Sequence, residues 1–121
     1  MNSYNFSEKD WKLYRNKIAG WQEAYMERLC EEYMEILRAD EIGSERFWKL
    51  HDRIKKDKKS PGVLITRSCR SDMIDNIFAL LIYRVITLDA LEGFSEDLRE
   101  HLAFIIKNHP EFFVDKKESE E

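Results

Sequence analysis

Met73-Ile74-Asp75-Asn76-Ile77-Phe78-Ala79-Leu80-Leu81-Ile82-Tyr83-Arg84-Val85-Ile86 is the stretch that decides the fold. Nine apolar side chains, Met73, Ile74, Ile77, Phe78, Leu80, Leu81, Ile82, Val85 and Ile86, would cover most of the circumference of a helix. A helix apolar nearly all round has no side to give to water, so the pattern predicts a central helix wrapped by others. The longest apolar run inside it, Ile77 to Ile86, is ten residues and contains Arg84. A bilayer span takes about 20 apolar residues, so this is a core helix and no membrane segment is expected.

The flanking sequence supplies the wrapping. Ser7 is placed to cap a first helix, with Glu8 and Asp10 in its opening turn facing the helix dipole. From there Trp11, Tyr14, Ile18, Trp21, Tyr25, Leu29, Tyr33 and Ile36 recur at steps of three and four, which predicts one stripe on a helix running to about Arg38. Gly20 lies inside it and marks a candidate bend or close helix contact. Large amphipathic rings suit a half-wet seam. Trp11, Tyr14, Trp21, Tyr25 and Tyr33 are therefore candidates for an interface with another subunit or partner; packing within the chain's own core is the other reading. Ser44 is expected to cap a second helix with the stripe Phe47, Leu50 and Ile54, flanked by Trp48 and His51, ended by Ser60-Pro61-Gly62. Ser68 or Ser71 is expected to cap the central helix, and Ser95 a last helix that stops near Asn108, before Pro110. A short helix fits Leu88–Leu91, and Phe112, Phe113 and Val114 are placed to fold back. Residues 1–6 and 115–121 read as frayed ends.

The 121 residues suit one domain, an all-α bundle of about four helices spanning 1–121. Four glycines and two prolines are too few to punctuate an all-β fold. Met1 to Asp10 has no apolar region of the kind a secretory signal carries, and two cysteines are far from a disulfide scaffold. A cytoplasmic, reducing setting is the expectation.

Charge is uneven along the chain. Residues 1–44 carry six basic and nine acidic side chains, residues 45–70 nine and three, residues 71–121 five and twelve. A basic band of net +6 thus separates acidic segments of −3 and −7. Either it compensates the acidic helices, among them the ladder Glu23, Glu27, Glu31 and Glu35, or it binds an anion, a nucleic acid or an acidic partner. Its candidate residues are Arg53, Lys55, Lys56, Lys58 and Lys59 at the end of the second helix. Arg67, Ser68, Arg70 and Ser71 add to them before the central helix, where free N–H groups favour negative charge.

Catalytic and metal patterns are weak. There is no glycine-rich phosphate loop and no nucleophile elbow, and His51, His101 and His109 lack ligand spacing with Cys30 or Cys69. Cys69, between Arg67 and Arg70, is a candidate reactive thiol or an ordinary structural one. No catalytic residue, metal or cofactor is expected.

Glu45-Arg46-Phe47-Trp48-Lys49-Leu50, Arg53-Ile54-Lys55-Lys56-Asp57-Lys58, Pro61-Gly62-Val63 and Val85 through Ser95 resemble small uncharacterised helical proteins of gram-positive gut bacteria. Many of those sit on mobile elements, and some carry the name multidrug transporter. The resemblance spans roughly residues 11–107 and implies no active site. It implies roles such as a regulator or an inhibitor of a host defence protein. Together these readings give a non-enzymatic interaction or regulatory protein that binds another protein or its own copy. The alternative is a nucleic-acid- or anion-binding accessory protein using residues 53–70.

Overall fold

A computed structural model describes residues 7–114. The ends expected to fray, 1–6 and 115–121, lie outside the described residues. The described chain is all-helical: α1 (Glu8–Arg38), α2 (Gly43–Asp57), α3 (Met73–Ile82) and α4 (Glu96–Asn108), with short 3₁₀ turns at Arg70–Asp72, Leu88–Leu91 and Pro110–Phe112.

The apolar stretch is central, as its composition demands. Met73, Ile77 and Leu80 are wholly buried, and Leu81 nearly so. Around them close Tyr14 of α1, Leu91 and Phe94 of the following turn, and Leu98 and Leu102 of α4. Burying each such side chain contributes about 1.5–3 kcal/mol, which is why the amphipathic helices are held against it. Two polar bonds fix the wrapping. Asp10, fully buried, accepts from the backbone N–H of Ser95 at 2.8 Å and from its hydroxyl at 2.6 Å. Ser95 in turn accepts from the Leu98 N–H, so one carboxylate ties the start of α1 to the capped start of α4.

α3 is shorter than its apolar pattern. It ends at Ile82, not Ile86, because the chain reverses through Arg84, which has φ +62. The Arg84 N–H donates to the Leu81 carbonyl at 3.0 Å and the Val85 N–H to the Leu80 carbonyl at 2.9 Å, the paired bonds of a Schellman stop. The reversal returns Val85 and Ile86 to the same core that α3 fills, so the last apolar residues of the run are buried although the helix has ended. Val114 folds back as expected, its N–H donating to the Ile82 carbonyl at the end of α3 at 2.9 Å.

Three helix starts and contacts differ from their sequence signals. α2 begins at Gly43 with Ile42 in the capping position, so Ser44 is inside the first turn, not its cap. α3 follows directly on a 3₁₀ turn begun at Cys69, so neither Ser68 nor Ser71 caps it; Asp72 stands before its first residue. α1 passes through Gly20 unbroken, and a side chain there would meet nothing within 4 Å, so no close helix contact exists.

α2 contributes nothing to this core. It packs mainly on the C-terminal half of α1, as an antiparallel hairpin continuing beyond the wrapped part. Arg46 ties the bend, donating to the carbonyls of Leu37 at 2.8 Å and Glu41 at 3.0 Å. The return to α3 runs back across α1, where Gln22 donates to the Pro61 carbonyl at 2.9 Å.

The two glycines on either side of this return should respond oppositely to alanine. Gly62 is buried, and a Cβ there would stand 2.3 Å from the Tyr25 ring and 2.7 Å from Val85 Cγ2. Urea unfolding should show Gly62→Ala less stable by about 1–3 kcal/mol and Gly20→Ala more stable by about 1 kcal/mol.

Candidate functional site

The basic band does not stay together. Arg70 pairs with Glu8 at 2.5 Å at the start of α1, and Arg67 approaches Asp72 at 3.8 Å. The Asp72 carboxylate also accepts from the Cys69 N–H at 3.2 Å. The anion position expected among Arg67, Ser68, Arg70 and Ser71 therefore already holds the protein's own acid. Lys59 lies beside Arg28, about 20 residues and so roughly 30 Å further along α1. No continuous basic strip runs from residue 53 to residue 70.

Arg53, Lys56 and Lys59 do converge, on a cleft of about 300 Å³ between the hairpin and the end of α3. Tyr25, Arg28, Leu29 and Glu32 form its α1 wall, and Tyr83, Arg84 and Val114 close it from the other side. Arg28 and Arg84 were not among the expected residues. The one signal for Arg84 was its place as the lone charge in an apolar run.

Inside the hairpin Arg53 is a structural tie. It pairs with Glu32 and, at 3.0 Å, with Asp57, and lies over the Tyr33 ring at 5.8 Å. Burial works against its charge, but the hydrogen bonds and charges of Glu32 and Asp57 outweigh that and hold its pKa above the ordinary value. Tyr33 donates to Asp57 at 2.6 Å. Burial, then this bond to a carboxylate, raise the Tyr33 pKa. So Arg53 answers Glu32 and Asp57, not the ladder. Glu23, Glu27, Glu31 and Glu35 stay exposed, and Glu35 pairs with Arg38 of its own helix.

The aromatic row of α1 is likewise taken inward, which corrects its candidacy as an exposed interface. Tyr14 is 3% exposed and receives a bond from Asn76. Trp11, Trp21 and Tyr25 pack against the core, and Tyr33 is spent on Asp57. Rings at steps of three and four face whatever the helix packs on, and here that is α3 and then α2.

Exposed apolar side chains lie on the hairpin, and singly elsewhere at Leu64, Leu88, Phe104 and Phe112. Ile42, Phe47 and Trp48 are 66%, 61% and 56% exposed, and Met34, Leu37 and Ile54 about 40%. Phe47 and Trp48 meet edge to face at 5.0 Å, and Trp48 and His51 at 5.3 Å. Each helical residue advances by about 100°. That places Met26, Cys30, Met34 and Leu37 of α1 on the same side of the hairpin as Phe47, Leu50 and Ile54 of α2. The cleft residues fall on the opposite side. The outer edge of α1 carries Glu23, Glu27 and Glu31, and the outer edge of α2 carries Lys55 and Lys58, all exposed.

Among the described residues no group of His, Cys, Asp and Glu could hold a metal ion, and no helix is long and apolar enough to cross a membrane. No family model, curated protein or solved structure matches the chain.

The Tyr33 bond gives a pH signature. A hydroxyl whose pKa is raised by folding stabilises below its unfolded value of 10.0 and loses that contribution as pH climbs through the folded value. Tyr14, raised chiefly by burial, has the same sign. Melting temperature should therefore hold level up to about pH 10 and fall beyond it, and Tyr33→Phe should make that alkaline fall shallower.

Proposed function

We propose that the protein is a non-enzymatic interaction protein whose aromatic hairpin face docks a second copy of the same chain. The single observation that carries this reading is the exposure of Phe47, Ile54, Met34 and Leu37 together on one side of a hairpin that the core does not need, with Trp48 in ring contact with Phe47 at its edge. Scattered apolar residues are ordinary on a surface; a contiguous face built from two helices and rich in aromatics is what interfaces present.

Charge supports a copy of itself as the occupant. The face is bounded by an acidic edge on α1 and a basic edge on α2. Two such faces meet in a two-fold pair in one of two ways. With the axis along the helices, the partner's α1 lies opposite α2, and the Glu23–Glu31 edge of each protomer runs beside Lys55 and Lys58 of the other. With the axis across the helices, like edges meet and repel. Opposite edges give both a favourable pairing and a means of rejecting the wrong one. The division of the basic band favours this over nucleic acid, because only part of the band remains in an exposed row.

Light scattering tests the pairing. The wild-type chain should show twice its 14.6 kDa mass at micromolar concentration, and Phe47→Glu with Ile54→Glu should halve it without loss of helical signal. Lys55→Glu with Lys58→Glu should weaken the pair, and mixing that variant with Glu23→Lys, Glu27→Lys chains should restore it. A wild-type monomer at a hundred micromolar would end the proposal, and charge variants that leave pairing untouched would end the axis assigned here.

A further inference from the structure

We propose that the cleft between the hairpin and the end of α3 binds an organic phosphate with a flat aromatic body, of the nucleotide class. The site lies on the opposite side of the hairpin from the pairing face and does not rest on that reading.

Five cations and two carboxylates line the cleft, in a chain whose net charge is −4. The two carboxylates, Glu32 and Asp57, are both engaged by Arg53. That leaves Arg28, Lys59 and Arg84 with no acidic partner among the described residues. Three cations with no acidic partner among the described residues, around one small hollow, exceed what a single carboxylate answers. They suit a phosphate, which carries a charge of about −2 and offers oxygens to forked guanidinium donors.

The wall is built for this, and the clearest sign is Arg84. Its backbone stands at φ +62, in the stop position where helices favour glycine. A side chain there costs about 1 kcal/mol that glycine would not. The strained turn is clamped from across the cleft: the Arg28 guanidinium donates to the carbonyls of Arg84 and Val85, each at 3.1 Å. The Arg84 guanidinium is itself steadied: its Nε donates to the Val114 carbonyl at 3.4 Å, and it lies 4.6 Å from the centre of the Phe113 ring. A cation held at a position that disfavours any side chain, on a turn locked by a second cation, is fixed in place before a ligand arrives.

The rest of the lining says what the phosphate is attached to. Tyr25, Leu29 and Tyr83 provide apolar and aromatic surface beside the charges, with Leu29 buried and both rings half-buried. Such rings accept a flat aromatic body by stacking. A volume of about 300 Å³ is at the small end of ligand pockets and holds one mononucleotide-sized molecule. It is a hollow, not a groove that could track a polymer backbone.

Calorimetric titration of the full chain with ADP, inorganic phosphate and adenosine at low salt tests the assignment. ADP should bind, with phosphate and adenosine each weaker by about tenfold or more, since each lacks one half of the contacts. Arg84→Gly is the decisive variant because it relieves the strained turn. It should melt no lower than wild type yet lose about tenfold in ADP affinity. Lys59→Gln should weaken ADP too, and Lys55→Gln, outside the cleft, should not. Absence of ADP binding at millimolar concentration would overturn the proposal. So would a folded Arg84→Gly protein with undiminished affinity, or equal losses from Lys55→Gln and Lys59→Gln. Phosphate binding as tightly as ADP would remove the aromatic body from the assignment.

Discussion

The structure depends on keeping Met73, Ile77, Leu80 and Leu81 out of water. Those four side chains occupy successive turns of one short helix, three of them with no exposed surface at all. Nothing in the chain can shield them from one side only. The first half of α1, the turn after α3 and α4 are each amphipathic, and each is held in place by the same buried segment. The Asp10–Ser95 bonds then set how the outer helices meet, joining residues 85 positions apart at a single buried carboxylate.

That arrangement is complete without the hairpin. α1 is 31 residues long, roughly 46 Å at 1.5 Å per residue, whereas α3 has only 10. The surplus length of α1 extends past the core and must find its own partner, which is α2. Two helices alone cannot bury all their apolar positions, so one side of the hairpin keeps its rings in water. Its other side meets the reversal at Arg84 and becomes one wall of the cleft. The aromatic face and the cationic hollow are thus two consequences of one mismatch in helix length, and each faces a different direction.

The interior of the hairpin is polar where the core is apolar. Arg53, Glu32, Asp57 and Tyr33 form a compact set with two carboxylates, one guanidinium and one phenol, and Asp57 is buried. Partnered in this way the charges are tolerated, and removing any one leaves the others short of a partner.

Helix content, the central place of the Met73 segment, the extent of α1 and α4 and the caps Ser7 and Ser95 were legible from the sequence, because periodicity and capping chemistry act within a few residues. Which rings are covered was not legible. The row from Trp11 to Tyr33 and the stripe Phe47, Leu50, Ile54 look alike as patterns, yet the first is packed and the second leaves Phe47 and Ile54 exposed. That outcome depends on how far α3 reaches along α1, a relation between segments more than 40 positions apart. The fate of each cation was hidden for the same reason. Lys59 meets Arg28 and Arg84 only because the chain reverses at a left-handed residue that no hydrophobic pattern marks. Local spacing determined the elements and which one must be buried; only the tertiary structure decided which surfaces were left over, since burial of a given side depends on what distant chain is long enough to reach it.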